Sequence, residues 1–177
     1  MILFHGSTII IEHPLVHVGR EHLDFGRGFY LTNIEDQASG WAKKVKIIKK
    51  SRKAIINIFE FDYKATINAG YKHLCMEEYN KEWLNFITQS RKGQKPWNGY
   101  DFIEGGVAND RVIDTVEDYM IGRITAEQAL GQLKYAKPNH QICILNQEII
   151  DKYLTFIESK ELLEEELQCE KMYFGER

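Results

Sequence analysis

Hydrophobic residues along the chain are grouped in short runs that predict a mixture of strands and helices. Strand-like runs are rich in β-branched and aromatic residues and are bounded by glycine, proline or polar positions. They are MILFH (1–5), GFYLT (28–32), AIINIFEFDY (54–63), YDFIEGGV (100–107), QICIL (141–145) and KYLTFIES (152–159). The run at 54–63 lacks clean polar alternation, which is typical of a strand that is buried on both faces.

Helical spacing of apolar residues predicts two helices in the first half of the chain. One follows Thr32 and Glu35, whose spacing matches a capping box, and its apolar stripe extends from Ile34 to Val45. The other is predicted over residues 73–90. Its stripe consists of Met76, Tyr79, Trp83, Phe86 and Ile87.

Two more helices are predicted before the strand at 141–145. The first ends near Gly122, and the second opens with a capping box of Thr125 and Gln128 and runs to about Leu133. Strands and helices are mixed without strict βαβ alternation, so the predicted class is α+β, with a mainly antiparallel or mixed sheet and flanking helices. No linker, repeat or low-complexity tract interrupts the sequence, which predicts a single domain over residues 1–177.

The composition is that of a globular domain. Of the 177 residues, 44% are hydrophobic and 28% are charged, which argues against extensive disorder. The formal net charge of −3 gives no global signal for nucleic acid or a membrane surface. One basic run, KKVKIIKKSRK (43–53), stands out. Such runs are mostly solvated faces, and a nucleic-acid-directed activity is the alternative that this run leaves open.

Cysteine spacing and the terminal sequence predict a reducing compartment. Cys75, Cys143 and Cys169 are odd in number and widely spaced, without a CxxC pair, so neither a disulfide framework nor a metal site is expected. The first residues, MILFHGSTIII, lack the basic region of a secretory signal, and no apolar run approaches the roughly 20 residues that span a bilayer. We therefore expect a cytoplasmic protein with no membrane partner.

Two common enzyme classes do not fit the sequence. The Rossmann dinucleotide signature needs G-x-G-x-x-G or A between a strand and a helix, whereas the G-R-G at 26–28 is followed by F-Y-L and precedes a strand. There is no G-x-S-x-G elbow and no H-E-x-x-H helix, and Ser7 beside His5 has no evident orienting acid. A Rossmann enzyme and a serine hydrolase are therefore disfavoured.

Three segments far apart in the sequence each place polar or aromatic residues at a strand edge beside a glycine or proline turn. They are FHGS (4–7), FGRGFYLT (25–32) and PNHQICIL (138–145). In this order they resemble the ADP-ribosyltransferase superfamily, in the clade that diphtheria toxin shares with the poly(ADP-ribose) polymerases, and a small bacterial family within it. That clade has an H-G-[ST] strand end, a G-[KR]-G-[IF]-Y-[FL] strand followed by a helix, and a late strand opened by glutamate. The resemblance covers most of the chain and implies a split, mainly antiparallel sheet, with NAD as co-substrate and no metal.

The resemblance implies a role for each matching residue. His5 would hydrogen-bond a ribose hydroxyl of NAD, the backbone of Gly6 would pair with the nicotinamide carboxamide, and Tyr30 would stack on the nicotinamide ring. Arg20 or Arg27 would meet the pyrophosphate, since a guanidinium group fits phosphate oxygens. The expected NAD-binding residues are His5, Gly6, Ser7, Arg20, Gly28, Phe29 and Tyr30.

The third motif departs from the clade, because Gln141 stands where glutamate is usual. In the clade the carboxylate holds a ribose hydroxyl while positive charge develops at the anomeric carbon, as in glycosidases. Glutamine keeps the acceptor and loses the charge, and this change costs about 1–2 kcal/mol, on the order of tenfold in rate. The predicted catalytic residues are His5, Tyr30 and Gln141 of a mono-ADP-ribosyltransferase. A weak or inactive module that binds NAD, ADP-ribose or a protein is the alternative.

Asn139 and His140 are candidates for acceptor recognition, because in related transferases this position lies in a loop that faces the acceptor. A turn at Pro138-Asn139 is the alternative. Asp110 is a further candidate, with an N-cap or first-turn acid of the following helix as its alternative. The resemblance implies a protein or nucleic-acid acceptor, and a toxin or effector with a neutralising antitoxin.

Overall fold

The computed structural model describes residues 1–107, 110–134 and 139–163. The strands found there are β1 (Ile2–Ser7), β2 (Phe29–Leu31), β3 (Ile55–Phe61), β4 (His73–Met76), β5 (Phe102–Val107), β6 (Asn139–Ile144) and β7 (Leu154–Glu161). The helices are α1 (Glu35–Ile48), α2 (Tyr63–Asn68), α3 (Lys81–Arg91), α4 (Asp110–Met120), α5 (Ala126–Leu133) and α6 (Gln147–Tyr153). A turn of 3₁₀ helix lies at Val16–Val18.

The described residues form two compact units, each built around one sheet. The first unit comprises Met1–His13, Thr32–Phe61 and the described residues from Thr155 onward, and its sheet has the strand order β1-β3-β7. The second unit comprises Pro14–Leu31 and the described residues of Asp62–Leu154, and its sheet has the strand order β2-β6-β5-β4.

In the first unit, β1 and β3 pair antiparallel along their length. Every residue of β3 except Glu60 is buried, which confirms a strand that is covered on both faces. Ala38 of α1 packs with Ile56 and Ile58 in the core of this unit. Helix and strand approach closely at Gly6, where a Cβ atom would lie 2.1 Å from the Ala38 carbonyl oxygen.

Helix α1 begins without the predicted capping box. Its N-cap is Ile34, which has no side-chain cap hydrogen bond. The Thr32 hydroxyl instead accepts from the Ile34 N–H at 3.1 Å and donates to the Gln37 amide oxygen at 3.2 Å. Thr32 also exchanges backbone hydrogen bonds with Phe4 of β1. The capping box of Thr32 and Glu35 is therefore wrong, because Thr32 is held beside β1 and does not cap the helix.

The sheet of the second unit is mixed, because β4 and β5 run parallel while the β5–β6 and β2–β6 pairs are antiparallel. Alternate side chains of its strands divide between a core face, which packs with α3, α4 and α5, and an opposite face. The buried residues of the core are Phe25, Trp83, Leu84, Phe86, Ile87, Ile103, Val112, Val116, Ala129, Leu133 and Cys143.

Residues 73–90 do not form one helix, so that prediction is wrong. His73–Met76 form β4, and α3 starts after Asn80, whose side-chain oxygen accepts from the Trp83 N–H at 2.9 Å. Met76 of the strand and Trp83 of the helix both contact the core of the second unit. The apolar stripe therefore combined residues of two elements, which periodicity alone does not separate.

The later elements follow the prediction more closely. Both hydrogen bonds of the capping box at Thr125 and Gln128 are present, and α5 ends at Leu133 as expected. Helices α2 and α6 are not predicted from the sequence, because such short helices offer few positions for a helical period. The α+β class, with antiparallel and mixed sheets and flanking helices, is confirmed. None of the helices in the described ranges has the length and hydrophobicity of a membrane-spanning segment.

Candidate functional site

The three motifs are divided between the two units. His5, Gly6 and Ser7 form the end of β1 in the first unit. Tyr30 lies in β2 and Gln141 in β6, and both strands belong to the sheet of the second unit.

In the first unit, the end of β1 is supported by a buried asparagine that the sequence did not single out. His5 lies opposite Asn57 in the β1–β3 ladder and is half-buried. The Asn57 side chain accepts from the Ile11 N–H at 2.8 Å and donates to the Ile9 carbonyl oxygen at 3.2 Å. The Ser7 hydroxyl accepts from the Ile9 N–H at 3.4 Å. These bonds fix the segment that follows the H-G-S motif.

In the second unit, the loop before β2 is held by a buried ion pair. The Arg91 guanidinium of α3 donates to Oδ1 of the buried Asp24 at 2.7 and 2.8 Å. Arg27 donates to the His17 carbonyl oxygen, so its guanidinium is engaged within the loop. Arg20 is exposed in the same loop. The assignment of Arg20 to the pyrophosphate stays a prediction.

The Tyr30 hydroxyl is bound to the loop that precedes its own strand. It donates to the Gly26 carbonyl oxygen at 2.6 Å and accepts from the Phe25 N–H at 3.1 Å. Burial raises the pKa of Tyr30 well above its ordinary value, and the nearby Cys143 and Asp24 raise it further. The phenol therefore stays protonated and closes the loop. If Tyr30 stacks on a ligand, the contact is made by the face of its aromatic ring and not by its hydroxyl group.

Tyr30→Phe is expected to lower the free energy of unfolding by about 1–2 kcal/mol, because two hydrogen bonds to the loop are lost while the ring is kept. Urea unfolding followed by circular dichroism measures the change. Tyr100→Phe, at a residue that is 37% exposed, is the matched control and should change stability by less than about 0.5 kcal/mol. A Tyr30→Phe protein as stable as the wild type would show that the hydroxyl does not hold the loop.

The glycines of the G-R-G motif are accounted for by packing within the second unit. Gly26 has a φ of +86°, and a Cβ atom there would lie 2.3 Å from the Trp97 ring. At Gly28 a Cβ atom would lie 2.5 Å from the Ile144 carbonyl oxygen. Both close approaches are to protein atoms. Contact between Gly28 and NAD stays a prediction.

Tyr30 and Gln141 lie on the same face of the second sheet. Tyr30 pairs with Cys143, which is two residues from Gln141 in β6. Residues two apart in a strand share a face, so the two side chains are diagonal neighbours with Cα atoms roughly 7–8 Å apart. Gln141 is half-buried and pairs with Gly105, which has no side chain. Phe29 is buried on the opposite face, because it precedes Tyr30 in the strand.

The two residues proposed for acceptor recognition lie in β6, where they pair with the end of β5. The loop and turn placements of Asn139 and His140 are therefore wrong, because the strand begins before the predicted QICIL. Their recognition role stays a prediction. Asp110 is the first residue of α4, in agreement with a first-turn position, whereas Asn109 and Pro138 lie outside the described residues. An open pocket beside β6 is lined by Glu77, Gly105, Gly106, Asn139 and His140.

Glu104 of β5 is a buried carboxylate surrounded by polar side chains. The Tyr63 hydroxyl donates to its Oε1 at 2.5 Å, and His73 Nε2 lies 2.8 Å from the same oxygen. His140 Nε2 lies 3.0 Å from Oε2. Burial alone would raise the pKa of Glu104, but the hydrogen bonds from His140 and Tyr63 and the proximity of His73 outweigh it and lower the pKa. The carboxylate is therefore held in its ionised form.

Cys75 lies beside this carboxylate. The β4–β5 pairing puts Cys75 directly opposite Glu104, with His73 two residues earlier on the same face. The ligand atoms of His73, Cys75 and Glu104 all lie within 4.8 Å of one another. Burial, followed by the charges of Glu104 and Glu77, raises the pKa of the Cys75 thiol to about 11.

The sequence contained two signals for this set. Glu104 is the one charged residue within the apolar FIEGGV, and His73 and Cys75 have the spacing of residues that share a strand face. The second signal is hidden when residues 73–90 are assigned to a helix, because residues two apart in a helix do not face each other.

Fold and side chains define an α+β protein whose mixed sheet carries a tyrosine–glutamine pair on its core face and a histidine–cysteine–glutamate set on its opposite face. The chain belongs to the family described as protein of unknown function (DUF3990), whose sequence model matches residues 1–156. The match includes the residues proposed for catalysis, from His5 to Gln141. Comparisons with curated proteins and with solved structures give no match.

Proposed function

We propose that the protein is an NAD-dependent mono-ADP-ribosyltransferase with the split-sheet fold of that superfamily. In this reaction the bond between nicotinamide and ribose breaks, and nicotinamide leaves with the bonding electrons. An acceptor nucleophile then forms a bond to the anomeric carbon and gives up its proton. Positioning and electrostatic stabilisation of the positive charge supply the catalysis. His5, Tyr30 and Gln141 carry it.

The observation that supports this proposal most strongly is the pairing of β2 with β6. It sets Tyr30 and Gln141 side by side on one face of the second sheet, although they belong to motifs far apart in the sequence. These are the residues that the resemblance assigns to the nicotinamide ring and its ribose. Gln141 is half-buried, and its amide offers an acceptor oxygen and two N–H donors to a substrate.

The proposal gives the remaining residues supporting roles. His5 binds a ribose hydroxyl of NAD through an imidazole nitrogen, and Ser7 adds a hydroxyl that is fixed by the following turn. Arg20 binds the pyrophosphate from the loop before β2, where its side chain is exposed. Each of these contacts contributes binding, while the hydrogen bond from Gln141 strengthens as charge develops on the ribose.

Release of nicotinamide from NAD tests the proposal. His5→Ala is expected to slow release roughly tenfold, because a lost hydrogen bond costs about 0.5–1.5 kcal/mol in the transition state. Gln141→Glu is expected to speed release about tenfold, because a carboxylate stabilises the developing positive charge and an amide does not. Chromatography of the released nicotinamide measures both rates.

Two exposed positions offer matched controls for these substitutions. His13→Ala and Gln94→Glu make the same chemical changes at exposed residues and should leave the rate unchanged. Equal release from wild type and His5→Ala would remove His5 from the mechanism. Absence of release and of NAD binding in both wild type and Gln141→Glu would refute the transferase proposal.

A binding module without turnover is the second candidate, and the glutamine at position 141 favours it. Such a module would gain thermal stability in the presence of NAD or ADP-ribose without releasing nicotinamide. Activity that appears in Gln141→Glu and is absent from the wild type would favour this candidate over the enzyme.

The acceptor is proposed to be a protein or a nucleic acid. The open pocket beside β6 supports its placement there, since Asn139 and His140 contribute to the lining. A role as a toxin or effector with a neutralising protein partner rests on the resemblance alone.

A further inference from the structure

We propose that His73, Cys75 and Glu104 form a binding site for a single zinc ion on the opposite face of the second sheet. Leu74 and Ile103, which alternate with these residues along β4 and β5, pack into the core. The three ligands therefore point away from the face that carries Tyr30 and Gln141. The site goes beyond the proposed transferase function and does not depend on NAD.

Strand pairing preforms the site. Cys75 lies opposite Glu104 in the parallel β4–β5 ladder, and His73 is two residues earlier in β4. All three ligand atoms lie within 4.8 Å of one another. Zinc binds nitrogen and oxygen at about 2.0–2.2 Å and sulfur at about 2.3 Å, so ligand atoms of a tetrahedral site lie roughly 3–4 Å apart. Side-chain rotations would bring the three atoms to one ion.

The chemistry of the ligands favours zinc over harder cations. Imidazole nitrogen, thiolate sulfur and carboxylate oxygen are its usual ligands, whereas magnesium and calcium prefer oxygen alone. Three protein ligands leave one tetrahedral position open to water or a substrate atom, as in catalytic zinc sites. On binding, the sulfur–zinc bond forms as the thiol proton of Cys75 passes to solvent, without a change of oxidation state.

Neighbouring side chains orient two of the ligands. Tyr63 and His140 hydrogen-bond the two oxygens of Glu104 and hold its carboxylate. The His73 ring stacks on Phe102, with ring centroids 4.3 Å apart and an interplanar angle of 13°. Partners of this kind fix the direction of a ligand before the ion arrives, and their loss weakens metal binding.

The contact of His73 Nε2 with Glu104 is compatible with a metal ion shared by the two residues. This nitrogen is buried, and its 2.8 Å contact with Glu104 Oε1 has the distance of an ion pair but not the geometry of a hydrogen bond. A zinc ion bound by both atoms would replace this poorly aligned contact with two metal–ligand bonds. The Cys75 thiol, which donates to Glu77 Oε1 at 3.7 Å, supplies the third ligand atom of the set. Cys75 is exposed and gives the ion a route from solvent.

Calorimetric titration with zinc tests the site in the full-length protein, prepared without a histidine tag and stripped by a chelator. We expect one ion per chain, and no displacement by an excess of magnesium. Cobalt in place of zinc should give the near-ultraviolet charge-transfer absorption of a thiolate ligand. Cys75→Ser should remove this absorption and weaken zinc binding at least tenfold. Tyr63→Phe removes the hydrogen bond from the Tyr63 hydroxyl to the Glu104 carboxylate. This variant should weaken zinc binding about tenfold.

Cys169→Ser is the matched control, because it removes a thiol outside the described residues and should leave both signals unchanged. Melting curves recorded without metal identify any variant that fails to fold, and His73→Gln then serves as the second ligand variant. The site is refuted if zinc does not bind at one ion per chain, or if it binds equally well to wild type, Cys75→Ser and His73→Gln. Nicotinamide release without added metal reports separately on the transferase proposal.

Discussion

Trp83→Ala is expected to lower the free energy of unfolding by about 3–5 kcal/mol. Trp83 is fully buried in the core of the second unit, and its Nε1 donates to the Gly106 carbonyl oxygen at 2.9 Å. Removal of the indole leaves a cavity between α3 and the sheet, because a close-packed core relaxes only partly around a missing ring. It also leaves a buried carbonyl without this donor, which adds to the loss.

Urea unfolding followed by circular dichroism measures this effect without relying on the fluorophore that is removed. Trp83→Phe keeps most of the ring volume and loses the N–H, so a smaller loss of about 1–2 kcal/mol is expected. Trp41→Ala makes the same truncation at a residue that is 41% exposed and should cost less than about 1 kcal/mol. Equal losses for Trp83→Ala and Trp41→Ala would contradict the role assigned to the buried indole.

The hydrogen bond from Trp83 also bears on the proposed site. Gly106 pairs with His140, and the preceding Gly105 pairs with Gln141. The indole therefore anchors the end of the strand against which the proposed catalytic amide is aligned. Trp83→Phe should consequently affect the position of Gln141 as well as stability, because the indole holds the end of β5 with which Gln141 pairs.

The sequence predicts those parts of the fold whose signal is local. The strand at 54–63 is recognised because seven of its ten residues are apolar or aromatic, and the structure buries β3 on both faces. The helix cap at Thr125 is recognised because its two hydrogen bonds join residues three apart. By contrast, Thr32 has the same spacing to Glu35 but bonds to Ile34 and Phe4, and contact with a distant strand cannot be read from spacing.

For the candidate site, too, the sequence predicts the local motifs but not the contacts between distant strands. His5 and Tyr30 stand in motifs with a local pattern, whereas the nearness of Tyr30 to Gln141 depends on the register between β2 and β6. Register also brings Glu104 opposite Cys75, and a slip by one residue would turn these side chains to different faces. Clusters that arise from pairing between distant strands therefore stay hidden until the pairing is known.

Gly6→Ala is expected to lower the free energy of unfolding by about 1–3 kcal/mol, through crowding between β1 and α1. The added methyl group would lie 2.1 Å from the Ala38 carbonyl oxygen and 2.8 Å from the Ala42 nitrogen. Both are backbone atoms of a helix, so the clash cannot be relieved by rotating a side chain, and the helix must move away from the strand. Thermal and urea unfolding of the two proteins measure the loss.

Gly40→Ala is the matched control, because it adds the same methyl group within the first unit. Gly40 lies in α1, and a Cβ atom there would meet nothing within 4 Å. Alanine loses less backbone entropy than glycine in a helix, so this variant should gain about 0.5–1 kcal/mol. The two substitutions are thus expected to have opposite signs, and a stable Gly6→Ala protein would show that the close approach is not required. Gly6→Ala disturbs the packing of β1, so reduced nicotinamide release from this variant would not show that Gly6 contacts NAD. Evidence for NAD contact has to come from variants of His5 and Gln141.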